Sequence, residues 1–76
     1  MKTWKQITIK NGEVAHERII ASDHFVKLLA QMIFLRQAGE DLTLMPEADS
    51  NYAVTAYICT RVHKDGTLVV TRFEQQ

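Results

Sequence analysis

The sequence has little of what a small chain uses to staple itself, to cradle phosphate or to attract a charged partner. Its 76 residues include one cysteine, one proline and three glycines, and nine Lys and Arg offset nine Asp and Glu to a formal net charge of zero. The single Cys59 excludes an intramolecular disulfide, and a secreted domain this small generally needs such staples, so a reducing, cytoplasmic setting is expected. Zero net charge removes the long-range field that draws a basic domain to nucleic acid or anionic lipid. The glycines stand alone at Gly12, Gly39 and Gly66, which excludes a Gly-rich phosphate loop. The charge-free run from Leu28 to Leu35 is far too short to cross a bilayer, and Met1 to Gln6 carries no apolar stretch behind its lysines, so no membrane or export segment is expected.

What is present is core-forming material. Hydrophobic residues make up 46% of the chain, and no repeat, low-complexity tract or linker divides it, so residues 1–76 read as one compact domain. A domain of this length buries only about 60% of the surface its unfolded chain exposes, and dimerisation would support it.

Two dipeptides suited to positive φ, Asn11-Gly12 and Asp65-Gly66, separate β-rich runs and predict tight hairpins. A two-residue turn at Asp65-Gly66 sets Val62 opposite Val69, Thr60 opposite Thr71 and Ile58 opposite Phe73, leaving Tyr57, Cys59, Arg61 and His63 on the other side with Leu68, Val70 and Arg72. The same arithmetic at Asn11-Gly12 pairs Ile9 with Val14, Ile7 with His16 and Lys5 with Arg18, and brings Trp4 against Ile19. Between the hairpins, Ser22-Asp23 supplies an N-cap and a first-turn acid. Phe25, Leu28, Leu29, Met32, Ile33 and Leu35 then recur at helical spacing until Gly39 supplies the stop, predicting a helix over roughly residues 23–38. Val26, Ala30 and Phe34 widen its apolar arc beyond the usual stripe, so the helix is expected to touch something on more than one side. Leu42 to Met45 reads as a short strand stopped by Pro46, and a further strand is expected from Tyr52. The resulting order ββαβββ predicts an α+β fold, an antiparallel sheet of about five strands with one helix packed on one face.

Catalytic chemistry finds little support. His16, His24, His63 and Cys59 lack the spacing of a metal site, and the carboxylates fall mostly at caps, turns and ends, so no enzyme activity, cofactor or metal is expected. Two binding readings remain. With a single helix on one face, the other face, carrying Trp4, Ile19, Tyr57, Cys59, Leu68 and Val70, is expected to be an apolar interface. The chain then reads as a non-enzymatic interaction or regulatory module that forms a homodimer or docks on a protein partner. Trp4, Phe34, Tyr57, Arg61, His63 and Arg72 are the candidate contact residues. The alternative is a single-stranded nucleic-acid surface, with Arg61 and Arg72 as diagonal neighbours beside Tyr57 and His63. In size and in its want of catalytic signatures the chain is similar to short phage or mobile-element accessory proteins that inhibit or redirect a host machine, a resemblance of genre and not of residues.

Overall fold

The computed structural model describes residues 2–76; Met1, part of the N-terminal stretch considered above for an export signal, lies outside the described residues. The elements follow the expected order: β1 (Thr3–Lys10), β2 (Glu13–Ala21), α1 (Ser22–Gln37), β3 (Leu42–Ala48), β4 (Val54–Val62) and β5 (Leu68–Gln75). All five strands join one antiparallel sheet in the order β2-β1-β5-β4-β3, and the fold class is α+β. The last strand is the central one, hydrogen-bonded to β1 on one side and to β4 on the other. The helix carries the chain from the β2 edge to the β3 edge. Its 16 residues rise about 24 Å at about 1.5 Å each, enough to cross four strand spacings of about 4.8 Å.

The two hairpins solve their turns differently. At Asn11 and Gly12 both φ values are positive, +49° and +85°, which is the primed two-residue turn that right-twisted strands favour. Ile9 pairs with Val14 as expected, but Thr8 then pairs with His16, leaving Ala15 without a partner as a β-bulge. From there on the register is displaced by one, so Ile7 meets Glu17, Lys5 meets Ile19 and Trp4 meets Ile20 in place of the expected His16, Arg18 and Ile19.

At the C-terminal hairpin the loop has three residues, not two. The His63 N–H donates to the Thr67 carbonyl (3.0 Å), the Gly66 N–H to the His63 carbonyl (2.9 Å), and Gly66 takes the left-handed position at φ +87°. Asp65 completes the turn by accepting the Thr67 N–H at 2.9 Å. This three-residue loop with a terminal left-handed glycine is among the next most common hairpin connections after the two-residue turn, and it moves every partner by one. Val62 therefore pairs with Leu68, Thr60 with Val70, Ile58 with Arg72 and Tyr57 with Phe73, correcting the expected Val69, Thr71 and Phe73 pairings.

Smaller corrections have local causes. Ala21, held extended by its pairing with Thr3, occupies the N-cap position, so Ser22 is the first helical residue and caps nothing with its side chain. Gly39 does end the helix: its N–H reaches the Arg36 carbonyl and the Glu40 N–H reaches Leu35, the paired closure that needs a left-handed residue, here at φ +92°. β3 runs through Pro46 to Ala48 because it is an edge strand, where a missing N–H costs no ladder bond on the solvent side. Tyr52 lies in the turn before β4, at φ +62°, and not in the strand.

The core lies under the N-terminal half of the helix. Phe25 stacks on Trp4 with ring centroids 3.9 Å apart and meets Phe73 edge-on at 5.2 Å, while Tyr57 leans on both Trp4 and Phe25. Each such ring pair adds about 0.5–1.5 kcal/mol beyond the area it buries. Phe73 is fully buried, and Ile20, Leu28, Leu29 and Met32 close around the cluster.

Candidate functional site

Because residues directly opposite in a ladder share a face, the pairings sort the candidate residues into two groups. The helix side carries Trp4, Tyr57, Cys59 and Arg61 together with Phe73, Thr71 and Val69. The open side carries Lys5, Ile7, Ile9, Ile19, Ile58, Thr60, Val62, Leu68, Val70 and Arg72. The expected uncovered face is thus corrected in part: Trp4, Tyr57 and Cys59 lie beneath the helix, and Ile19, Leu68 and Val70 are indeed on the open side. The one-residue change in each hairpin is the cause.

The same change separates the arginines. Arg61 and Arg72 project from opposite faces, so the surface of Arg61, Arg72, Tyr57 and His63 expected for single-stranded nucleic acid is not formed. Arg72 is fully engaged. Its Nη1 and Nη2 donate to the two carboxylate oxygens of Glu47 at 3.0 and 2.8 Å, and its Nε donates to Glu74 at 2.6 Å. Glu47 and Glu74 flank the small Ala56 in one cross-strand row, and the guanidinium in the next row reaches along its own strand to Glu74 and diagonally to Glu47. The two carboxylates hold the Arg72 proton more firmly than usual, and the guanidinium hydrogen bonds in turn lower the Glu47 carboxyl below its ordinary range.

Sequence reasoning missed Ile7, Ile9, Ile58 and Val62 as open-face residues, since only the register assigns them. It missed Glu47 as the Arg72 partner because the two are 25 residues apart. The open side is nevertheless rich in β-branched and aliphatic side chains, with Ile19 59% exposed and Val14 61% exposed along the β2 edge. On the other side of the molecule Phe34 is 68% exposed and lies with Val26, Ala30 and Ile33 at helical spacing, a second apolar stripe pointing away from the sheet.

Arg61 and His63 occupy a third place, the end of the helix–sheet layer beyond the aromatic cluster. There Leu28, Met32 and Leu35 of the helix face Leu42, Cys59, Val69 and Thr71 across a slot of about 200 Å³, with Arg61 and His63 at its mouth. The Arg61 Nη2 lies 3.7 Å from the Glu40 carboxylate, a charge contact without a hydrogen bond. Burial pushes the Cys59 thiol above its ordinary value and the Arg61 charge partly opposes it, so the thiol form holds at neutral pH. Among the described residues no group of three His, Cys, Asp or Glu side chains is placed to hold a metal ion, and no helix is long and apolar enough to cross a membrane. Compared with protein-family models, curated proteins and solved structures, the chain matches none.

Proposed function

We propose that this chain is a non-enzymatic, cytoplasmic protein-interaction module that works through the open face of its sheet, forming a homodimer or docking on a partner protein. The observation that carries the reading is the composition of that face. An antiparallel sheet with a helix on one side usually offers water a polar second side, whereas here Ile7, Ile9, Ile19, Ile58, Leu68 and Val70 lie on the uncovered side. Charges of both signs are interspersed among them and mutually paired: Arg72 crosses the middle of the face between Ile7 and Ile58, bridged to Glu47 and Glu74, and Lys5 beside Ile19 lies near Glu17. A regulatory role by occlusion, in which one small domain covers a working surface of a larger assembly, is the mode such a face supports. The single-stranded nucleic-acid alternative has less support, because Tyr57 is under the helix and Arg72 is already bridged by all three of its nitrogens to two carboxylates.

Sedimentation at micromolar concentration and capture from cytoplasm test the reading together. The wild-type chain is expected to sediment as a dimer or to retain one defined protein, and Ile19→Lys with Leu68→Lys to abolish that association while the circular dichroism spectrum stays unchanged. Phe34→Lys serves as the comparison on the helix stripe. A monomer that captures nothing sensitive to Ile19 and Leu68, or that recovers salt-resistant nucleic acid, overturns the reading.

A further inference from the structure

The slot at the far end of the helix–sheet layer does not belong to the open face, and the interaction reading leaves it unused. Its walls are mainly apolar, with Leu28, Met32 and Leu35 on one side and Leu42, Cys59 and Val69 on the other, and Gln31 and Thr71 add polar groups to the lining. At about 200 Å³ it has room for a short aliphatic segment and not for a large ring system. Beside the slot lies a shallow, open vestibule of about 390 Å³, lined by Glu40, Arg61, His63, Lys64 and Asp65. Arg61 and His63 line both spaces, so an apolar chamber and a polar one meet at these two side chains.

At that junction the Arg61 Nε is a buried polar atom without a hydrogen-bond partner among the described residues. That atom is enclosed even with the slot empty, so an acceptor reaches the guanidinium through the exposed part of the group, the side chain being 33% exposed, where no hydrogen bond is made among the described residues. The one carboxylate in reach, Glu40, approaches Nη2 at 3.7 Å and does not bond it. Asp65 is turned into its own loop, accepting the Thr67 N–H. A ligand that satisfies both halves must be apolar along its body and carry an acceptor at one end. The vestibule already holds the carboxylates of Glu40 and Asp65, so a single negative charge is tolerated better than the double charge of a phosphate monoester.

We propose that the slot and vestibule form a binding site for a small amphipathic monocarboxylate, its tail between α1 and the β3–β4–β5 surface and its carboxylate on the Arg61 guanidinium, with His63 and Lys64 beside it. This site is separate from the open sheet face, so its failure leaves the interaction reading untouched, and the reverse holds too.

Octanoate is the probe, with 1-octanol lacking the charge and acetate lacking the tail, each titrated into the full chain and followed by NMR at the methyl groups and the arginine Nε–H signals. Octanoate is expected to saturate below millimolar concentration, shifting the Met32, Leu35 and Leu42 methyls together with the Arg61 Nε–H, and octanol and acetate to bind about ten-fold more weakly or worse. Arg61→Gln is expected to reduce octanoate to the level of octanol without changing octanol itself. Leu35→Phe, which fills the slot, is expected to abolish both, the rest of the spectrum reporting an intact fold. Equal affinity for octanol and octanoate, an octanoate response centred on Ile19 and Val70 of the open face, or no saturation by about 10 mM overturns the proposal.

Discussion

The two ends of the helix–sheet layer share one helix and one sheet, yet they are packed in opposite ways. Under the first half of α1, four rings from β1, β4, β5 and the helix interlock, and Phe73 is left with no exposed surface. Towards the second half, Leu35, with Leu28 and Met32 shared between the cluster and the slot, faces Leu42, Cys59, Val69 and Thr71, and a 200 Å³ slot stays open between them. Rings are broad enough to bridge a helix and a twisted sheet; small side chains bordered by an arginine cannot close the same distance. The first end fixes the helix by packing, and the second holds it through the chain itself, by the Gly39 stop and the short passage into β3.

The sharpest way to break this comparison is to truncate one residue at each end. Phe73→Ala is expected to cost about 3–5 kcal/mol in chemical denaturation, a large share of the stability of so small a domain, and Leu35→Ala, already half-buried beside open space, about 1–2 kcal/mol. Equal costs would mean the two ends are packed alike. A smaller effect sharpens the contrast: Leu35→Phe, adding volume where there is room, is expected to change stability by no more than about 1 kcal/mol and to slow the reaction of Cys59 with a thiol reagent. An overpacked Leu35→Phe that unfolds readily would show that the slot is closed in solution.

The smallest effect lies on the open face, where no helix packs at all. The Glu47 carboxyl is held below its ordinary value of 4.5 chiefly by its hydrogen bond from Arg72, so its contribution to stability is present above that pH and is lost as pH falls through the lowered value. The wild-type chain is therefore expected to be more stable than Glu47→Gln at neutral pH, with the gap closing only in acid. A gap that stays constant across pH 7 to about 3 would mean that the ionic part of the Arg72 bridge contributes nothing.

Element order was legible because it depends on local signals: Asn11-Gly12, Gly39 and the run of helical spacing from Phe25 to Leu35 all sit where the structure uses them. Which face a strand residue takes was not, because it depends on counting across a turn. Asp65-Gly66 marks a turn whether the loop has two residues or three, and both sides of β4 and β5 are apolar enough to satisfy either count. Burial of Phe73 opposite Tyr57 under the helix selects the second. A single bulge at Ala15 does the same at the other hairpin, taking Trp4 from Ile19 to Ile20. Of the candidate residues, Phe34 stands exposed on the helix as its position on the helical wheel suggested. Arg61 and Arg72 ended on opposite faces for want of that one count.

The placement of β5 between β1 and β4 has a kinetic consequence. The two halves of the sheet have no ladder in common except through β5, and its partners in β1 lie 59 residues (Lys10 to Val69) to 71 residues (Trp4 to Gln75) back along the chain. Pairings so distant in sequence are slow to find, and a nascent chain cannot begin them before Leu68–Gln75 has left the ribosome. Until then the β1–β2 hairpin with its helix and the β3–β4 hairpin each expose an unpaired inner edge, the form in which this protein is most open to capture by a chaperone or by another copy of itself.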